Sequence, residues 1–472
     1  MACKKKLYRY RPDPEPALEA QTTRKRTTPI PCDPRSLERG VRQLLADKVM
    51  GNLAGVWLLA PELLRLGAWD LVGSWTGQRP ERVGPRLALQ LIHEAALCTT
   101  GLRQRRSLNQ PLFELANGLP FLATDGAVHD LLGARTVAEC QRLQVALGQL
   151  RRAAGHFPAR VLAIDPHRVR SFSQRHMRRH RHDEAQRPTK VAQTFFVLDA
   201  DTGQPVCFTS GTSARTATTA AKELLGLAAE ILDPKPGETL VLADAEHFTA
   251  ELLDQVQRGT RFDLLVPMSD QASLRAKLQA LPADGFQRRW AGSATTKLAY
   301  TPKNSQAGPF TQYVQRSGER PEEYHFKAFL STRDGDEVEE LTREFPKRWH
   351  VEEFFNVHQA LGWDRAGTCN LNIRYGQMTM ALLAQAAIDQ LRKRLGPPAS
   401  TWDAKHLAKA YFDGLEGDMR VEGETIVVSY YNAPTDNNLR QEYEDLPAKL
   451  RDQGIGPRIP WLYGFELDFC FR

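Results

Sequence analysis

The sequence predicts an α/β protein: a mixed sheet flanked by helices, interrupted by a β-rich insertion and preceded by an all-helical N-terminal region. Three observations carry this prediction. Between residues 34 and 155 apolar residues recur at helical spacing, as in "PRLALQLIHEAAL" and "RTVAECQRLQVALGQLRRAAG". From residue 160 short apolar, β-branched runs alternate with helical ones. Between 285 and 335 the runs turn aromatic and strand-like ("FQRRWAGSATTKLAY", "GPFTQYVQR", "EYHFKAFLST") before helical spacing returns.

The bulk properties narrow the class. With 472 residues, 42% of them hydrophobic, the chain has material for two or three domains. No apolar run reaches the roughly 18 residues of a membrane span, so no membrane is expected as a partner. The opening "MACKKKLYRYRPDPEP" has no apolar stretch of the secretory kind. Seven cysteines (Cys3, Cys32, Cys98, Cys140, Cys207, Cys369, Cys470) lie far apart with no CxxC pair, which argues against a zinc ribbon or disulfide framework and for a reducing, cytoplasmic compartment. The net charge of +7 is modest, but it is concentrated. Residues 1–40 hold ten Lys and Arg against five acids, and "HRVRSFSQRHMRRHRH" (167–182) holds six arginines and four histidines with no acid. Such stripes are the electrostatic footprint of nucleic-acid binding.

Taken in order, residues 1–33 read as a basic flexible arm and 34–155 as a helical DNA-binding region. Within it "ATDGAVHDLLG" is a short helix closed by Gly133. Thr136 and Glu139 form a capping box for the longer helix that follows, a pattern compatible with a helix-turn-helix. The core then begins (156–284). "RVLAID" is a buried strand closing on Asp165, and "VAQTFFVLD" and "PVCFTSGT" form a hairpin across "ADTGQ". The helix "ATTAAKELLGLAAEIL" leads to the strand "TLVLAD", which closes on Asp244. The helix "FTAELLDQVQ", the strand "FDLLVPM" and the helix "QASLRAKLQAL" complete the core. The β-rich insertion spans 285–335, the last part of the core 336–398, and a C-terminal region 399–472. Three antiparallel strands, a crossover helix and two parallel strands, with the fourth beside the first, is the order of a ribonuclease-H-like sheet.

In that order Asp165 and Asp244 end neighbouring strands, roughly 5 Å apart, where open α/β sheets bind ligands. A charge closing an apolar run is costly unless compensated. Singly, each aspartate reads as a cap for the next turn; as a pair at matching strand ends they favour a shared divalent cation. A third ligand is expected from "FPKRWHVEEFFNVHQ" (345–359). At 100° per residue Val351, Phe354, Phe355, His358 and Leu361 form one apolar arc, bordered by a stripe of Arg348, Glu352 and Gln359. Glu352 is therefore expected at the rim of the core and Glu353, about 100° away, in water.

This segment resembles the Y-x2-R-x3-E-x6-K signature of DDE transposases of insertion-sequence family four. Arg348 and Glu352 match it, while Phe345 and Gln359 replace its tyrosine and lysine. Asp165 and Asp244 fall where the family's two aspartates lie, with spacings of 79 and 108 residues to the next acid. The resemblance covers roughly residues 155–395. It implies a bacterial DNA transposase, a polynucleotidyl transferase and endonuclease that cuts transposon ends and joins the 3′-OH to target DNA. Asp165, Asp244 and Glu352 are then the catalytic and metal-binding residues, with two Mg²⁺ ions per active site and Mn²⁺ as a substitute. The implied partners are double-stranded DNA, both terminal inverted repeats and target, and a second copy of the chain. The implied location is the nucleoid-associated cytoplasm. Arg348 and Gln359 take DNA-binding positions in this reading.

The residues themselves propose further contacts. Arg168, Arg170, Arg175, Arg178, Arg179 and Arg181 read as a grip on the DNA backbone. His176, His180 and His182 have ligand-like spacing, but so many arginines would repel a metal ion. Trp290, with Phe286, is a candidate for stacking on an unpaired base. Trp349 is expected in the core, and His167 and His247 are supporting candidates near the aspartates. The rival readings are a nuclease of the same fold without strand transfer and a non-catalytic, regulatory DNA-binding protein.

Overall fold

A computed structural model of the protein describes residues 33–79, 81–99, 106–171, 179–180, 187–363, 370–435 and 438–472. The described residues form two compact units, one of 148–355 and one of 33–147 with 356–472.

The first unit is built on one mixed sheet. Its core strands are β1 (Val161–Arg170), β2 (Thr189–Asp199), β3 (Gln204–Thr212), β4 (Thr239–Ala243) and β5 (Phe262–Pro267). β1 pairs antiparallel with β2, and β2 with β3; β1 pairs parallel with β4, and β4 with β5. The ribonuclease-H-like order therefore holds, strand by strand. Helix α1 (Ala217–Leu232) makes the crossover from β3 to β4. Thr216 caps its start by accepting a hydrogen bond from the Thr219 amide, and Asp233 ends it in the left-handed region at φ 41°. Its apolar stripe, including Leu224, Leu225, Ala228 and Ile231, is buried. Helices α2 (Ala250–Gly259) and α3 (Ala272–Gln279) follow β4 and β5.

Strand β1 differs from its expected length. It continues five residues past Asp165, staying paired with β2 as far as Arg170↔Val191. Its parallel pairing with β4 covers only Val161 to Ile164. Pro166 lies within the strand although it cannot donate to a ladder, because β4 has already ended on that flank, leaving the edge position that proline tolerates.

The insertion comprises β6 (Gln287–Trp290), β7 (Ser293–Tyr300), β8 (Phe310–Ser317) and β9 (His325–Ser331). It extends the core sheet: β9 pairs antiparallel with β5, and β8, β7 and β6 follow outward. β6 is the outermost strand, with a register shift between Arg288 and Trp290.

In the second unit, helices Pro34–Leu45, Leu59–Arg65, Ala68–Thr76, Val83–Ala96, Pro111–Ala116 and Asp125–Gly133 gather with the helix Leu371–Leu395. The expected capping box is present: the Thr136 hydroxyl accepts from the Glu139 amide at 3.2 Å, and Glu139 accepts from the Thr136 amide at 2.7 Å. Leu371–Leu395 is buried on nearly every side, polar residues such as Asn372, Arg374, Gln385 and Asp389 included. It sits with this unit rather than with the strands of the core. The hairpin Gly417–Glu422 and Thr425–Tyr430 is flanked by Val49–Gly51 and Glu466–Phe471 in a four-stranded sheet. Among the described residues no helix is long and apolar enough to cross a membrane.

Candidate active site

The last parallel pair between β1 and β4 is Ile164↔Ala243. Asp165 and Asp244 are each the next residue, one still within β1 and the other just past β4, so their backbones lie side by side, about 5 Å apart. Asp244 opens the short turn Ala245–His247 and accepts a hydrogen bond from the Ala245 amide at 2.7 Å. Its capping role and its place beside Asp165 thus coexist.

The third acid comes from a segment more irregular than one helix. A wide turn, Glu340–Glu344, passes into a tight one, Phe345–Trp349, and then into α4 (His350–His358). Val351 and Phe354 are buried, Phe354 and Phe355 each lie 5.5 Å from the ring of Phe196 on β2, and Phe355 stacks on His167 at 4.6 Å. This packing fixes the face that α4 turns toward the sheet. Glu352 is half-buried on that side, and Glu353 is exposed.

Arg348 joins the pieces. Its Nη1 lies 3.4 Å from Asp165 Oδ2, and its Nη2 lies 3.2 Å from Glu352 Oε1. Burial pushes the Asp165 carboxyl up; Arg348 opposes this, while Glu246, Asp244 and Glu352 add to it, and the carboxyl reaches about 7. Residues 156–386, just under half the chain, match the family model of the transposase DDE domain.

No curated protein sequence matches the chain. Among solved structures it is similar to a piggyBac transposase synaptic complex with hairpin DNA, determined by cryo-EM. The likeness covers 78% of this chain and 82% of that one, at 12% identity and a TM-score of 0.41.

The matched region holds the donors that a divalent cation prefers, since Asp165, Asp244 and Glu352 offer only hard oxygens. Among the described residues no three His, Cys, Asp or Glu side chains already converge as a metal site. A cation nevertheless lies between two of the three acids: the Arg348 guanidinium contacts both Asp165 and Glu352. The donor set fits a divalent ion in chemistry and charge.

Glu246 belongs to this cluster and was not foreseen. It is the second acid in "LADAEH", two residues beyond Asp244, and it acts on Asp165 while binding Arg168 at 2.5 Å. Arg168 also reaches Gln193 at 3.3 Å, so its guanidinium serves the site's acids and β2. His247 is fully buried, and burial lowers its ring to about 4, keeping it neutral.

The other expected contacts are scattered. Arg170 and Arg179 are exposed, the latter on a two-residue strand, Arg179–His180, that pairs with β2; Arg175, Arg178 and Arg181 lie outside the described residues. Gln359 is exposed and belongs to the second unit. Trp290 is 46% exposed at the end of β6, whereas Phe286 is buried beneath the Arg316 guanidinium, 4.5 Å from its ring. Phe345, where the family signature has tyrosine, packs edge-on against Phe329 of β9 at 4.8 Å. Trp349 is not in the core: it is 58% exposed. The tight turn buries Arg348 and turns the next side chain outward, which the helical wheel did not anticipate.

Below the acids, a second charge cluster anchors the segment. Lys347 Nζ binds Asp201 at 2.8 Å and Glu344 at 2.9 Å, Arg160 approaches the same two acids at 3.5 Å, and His350 Nδ1 lies 2.5 Å from the Ala200 carbonyl. Asp201 and Ala200 form the turn between β2 and β3, so the site segment is tied to the sheet at its base.

Proposed function

We propose that the chain is a DNA transposase that cleaves transposon ends in a metal-dependent reaction and transfers the 3′-OH strand into target DNA. The observation that carries this reading is the adjacency of Asp165 and Asp244 one step past the last parallel pair, with Glu352 linked to Asp165 through Arg348. The match to the transposase DDE domain over residues 156–386 supports it.

Asp165, Asp244 and Glu352 would hold Mg²⁺ or Mn²⁺, which when bound supplies Lewis acidity to the phosphoryl oxygen and a more acidic attacking hydroxyl. The protein's own contribution is placement. Two acids ride on paired strands, and the third is held by aromatic packing on Phe196 and by the Lys347 anchor. Arg170 and Arg179 offer exposed positive charge to the DNA backbone. Trp290 offers an open ring face for an unpaired base near the cleaved end. The helical region 34–155 would recognise the terminal repeats, and two copies would pair the two ends.

The test is a joining assay. The full chain, Mg²⁺ and a duplex bearing the DNA that flanks the gene, pre-cut to expose its 3′-OH, should yield strands joined to a plasmid. Cleavage without joining would leave a nuclease, and undiminished joining by Asp244→Ala or Glu352→Ala would refute the site.

A further inference from the structure

Four acids gather at the site, Asp165, Asp244, Glu246 and Glu352, and two arginines face them. Arg168 is committed to Glu246 at 2.5 Å. Arg348 alone spans Asp165 and Glu352, one guanidinium nitrogen to each, with its side chain only 9% exposed. Its two contacts, at 3.4 and 3.2 Å, are longer than the roughly 2.7–2.9 Å of a tight charge-assisted hydrogen bond. The guanidinium therefore bridges the acids loosely, and it occupies the space between the oxygens that a divalent ion would share. Two cations at one pair of carboxylates repel each other strongly in a poorly hydrated site.

A second station lies beside the first. The Trp349 indole is 58% exposed, and the Arg348 Cζ is already 5.2 Å from its centre, within reach of a cation–π contact. A short swing would carry the guanidinium from the acids to the outer ring face without stranding its charge.

We infer that Arg348 is the resident counter-cation of the metal-free site: a divalent ion entering between Asp165 and Glu352 displaces it onto Trp349, where it faces incoming DNA. The order of events follows. Metal loads first, and only the loaded protein presents this arginine to a phosphate. This rests on the metal-binding reading proposed above.

The test uses the full chain without DNA at low ionic strength, titrated with Mg²⁺ alone and followed by calorimetry and tryptophan fluorescence. Arg348→Ala should bind Mg²⁺ at least about tenfold more tightly than the unaltered protein. The unaltered protein should show a fluorescence change on Mg²⁺ addition that both Trp349→Phe and Arg348→Ala lack. Arg348→Lys, whose ammonium cannot bond both acids in the same bridged way, should bind with intermediate affinity, and it decides the question if the alanine variant fails to fold. Equal or weaker Mg²⁺ binding by the variants overturns the inference while leaving the metal site standing. No Mg²⁺ uptake by any of the proteins overturns both the inference and the metal-binding reading beneath it.

Discussion

Lys347 and Arg348 are neighbours in sequence, yet they serve two charge clusters of opposite character. Around Lys347 the charges balance, with Asp201 and Glu344 facing Lys347 and Arg160. Burial works to raise the Asp201 carboxyl, but Lys347 and Arg160 outweigh it and hold the group below its ordinary value. Around Arg348 the acids win: burial and three neighbouring carboxylates lift Asp165 to about 7 in spite of the guanidinium. A balanced cluster needs nothing more and acts as a fastening. An unbalanced one retains negative charge that the protein does not satisfy, the usual mark of a functional site.

The largest expected effect breaks the unbalanced cluster outright. Asp244→Ala and Glu352→Ala should each lower DNA cleavage by about a thousandfold or more, the several kcal/mol supplied by metal coordination, while urea denaturation stays close to that of the unaltered protein. Asp165→Asn tests the sign of the imbalance. The proton binds the folded form more tightly than the unfolded one, so stability linked to Asp165 is full below about 4 and lost as pH rises through about 7. Removing the charge should therefore stabilise the metal-free protein by on the order of 2 kcal/mol at pH 8, with the gain fading as pH falls from 7 to 4. Asp201→Asn should do the reverse. Its carboxyl is held low, so its stability is present above the ordinary value and lost as pH falls through the lower folded one. Because Asp201 is solvent-exposed and its ion pairs are screened, the substitution should cost no more than about 1 kcal/mol at neutral pH, and the cost should vanish in acid. Denaturant melts across pH read both, and matching signs would dissolve the contrast. The smallest effect is expected away from both clusters: Trp290→Ala should weaken binding of a DNA end with an unpaired base by about 1 kcal/mol, and leave fully paired duplex unaffected in the same gel-shift titration.

Much of the core was legible in the chain. The helix read at 217–232 forms over Ala217–Leu232, because its caps and apolar stripe are local signals. The strand that ends before Asp244 and the division between Glu352 and Glu353 were equally local. What escaped depended on distant partners. The apolar run of β1 ends at Asp165, and only its pairing with β2 shows that the strand goes on to Arg170. Trp349 reads as a core residue unless the tight turn Phe345–Trp349 breaks the helical wheel. Glu246 looks like one more surface acid until Arg168, from another strand, is found against it. Nor does any local pattern in Leu371–Leu395 say which unit will bury it.

Strand β6 carries one further consequence. It is the outer edge of the sheet, where a long open row of amides and carbonyls would invite pairing by any extended chain. Its four residues, its register shift and the exposed Arg288 make it a poor template for strand addition. Arg288 thus guards this edge, and exchanging it for valine should bring self-association before any loss of fold.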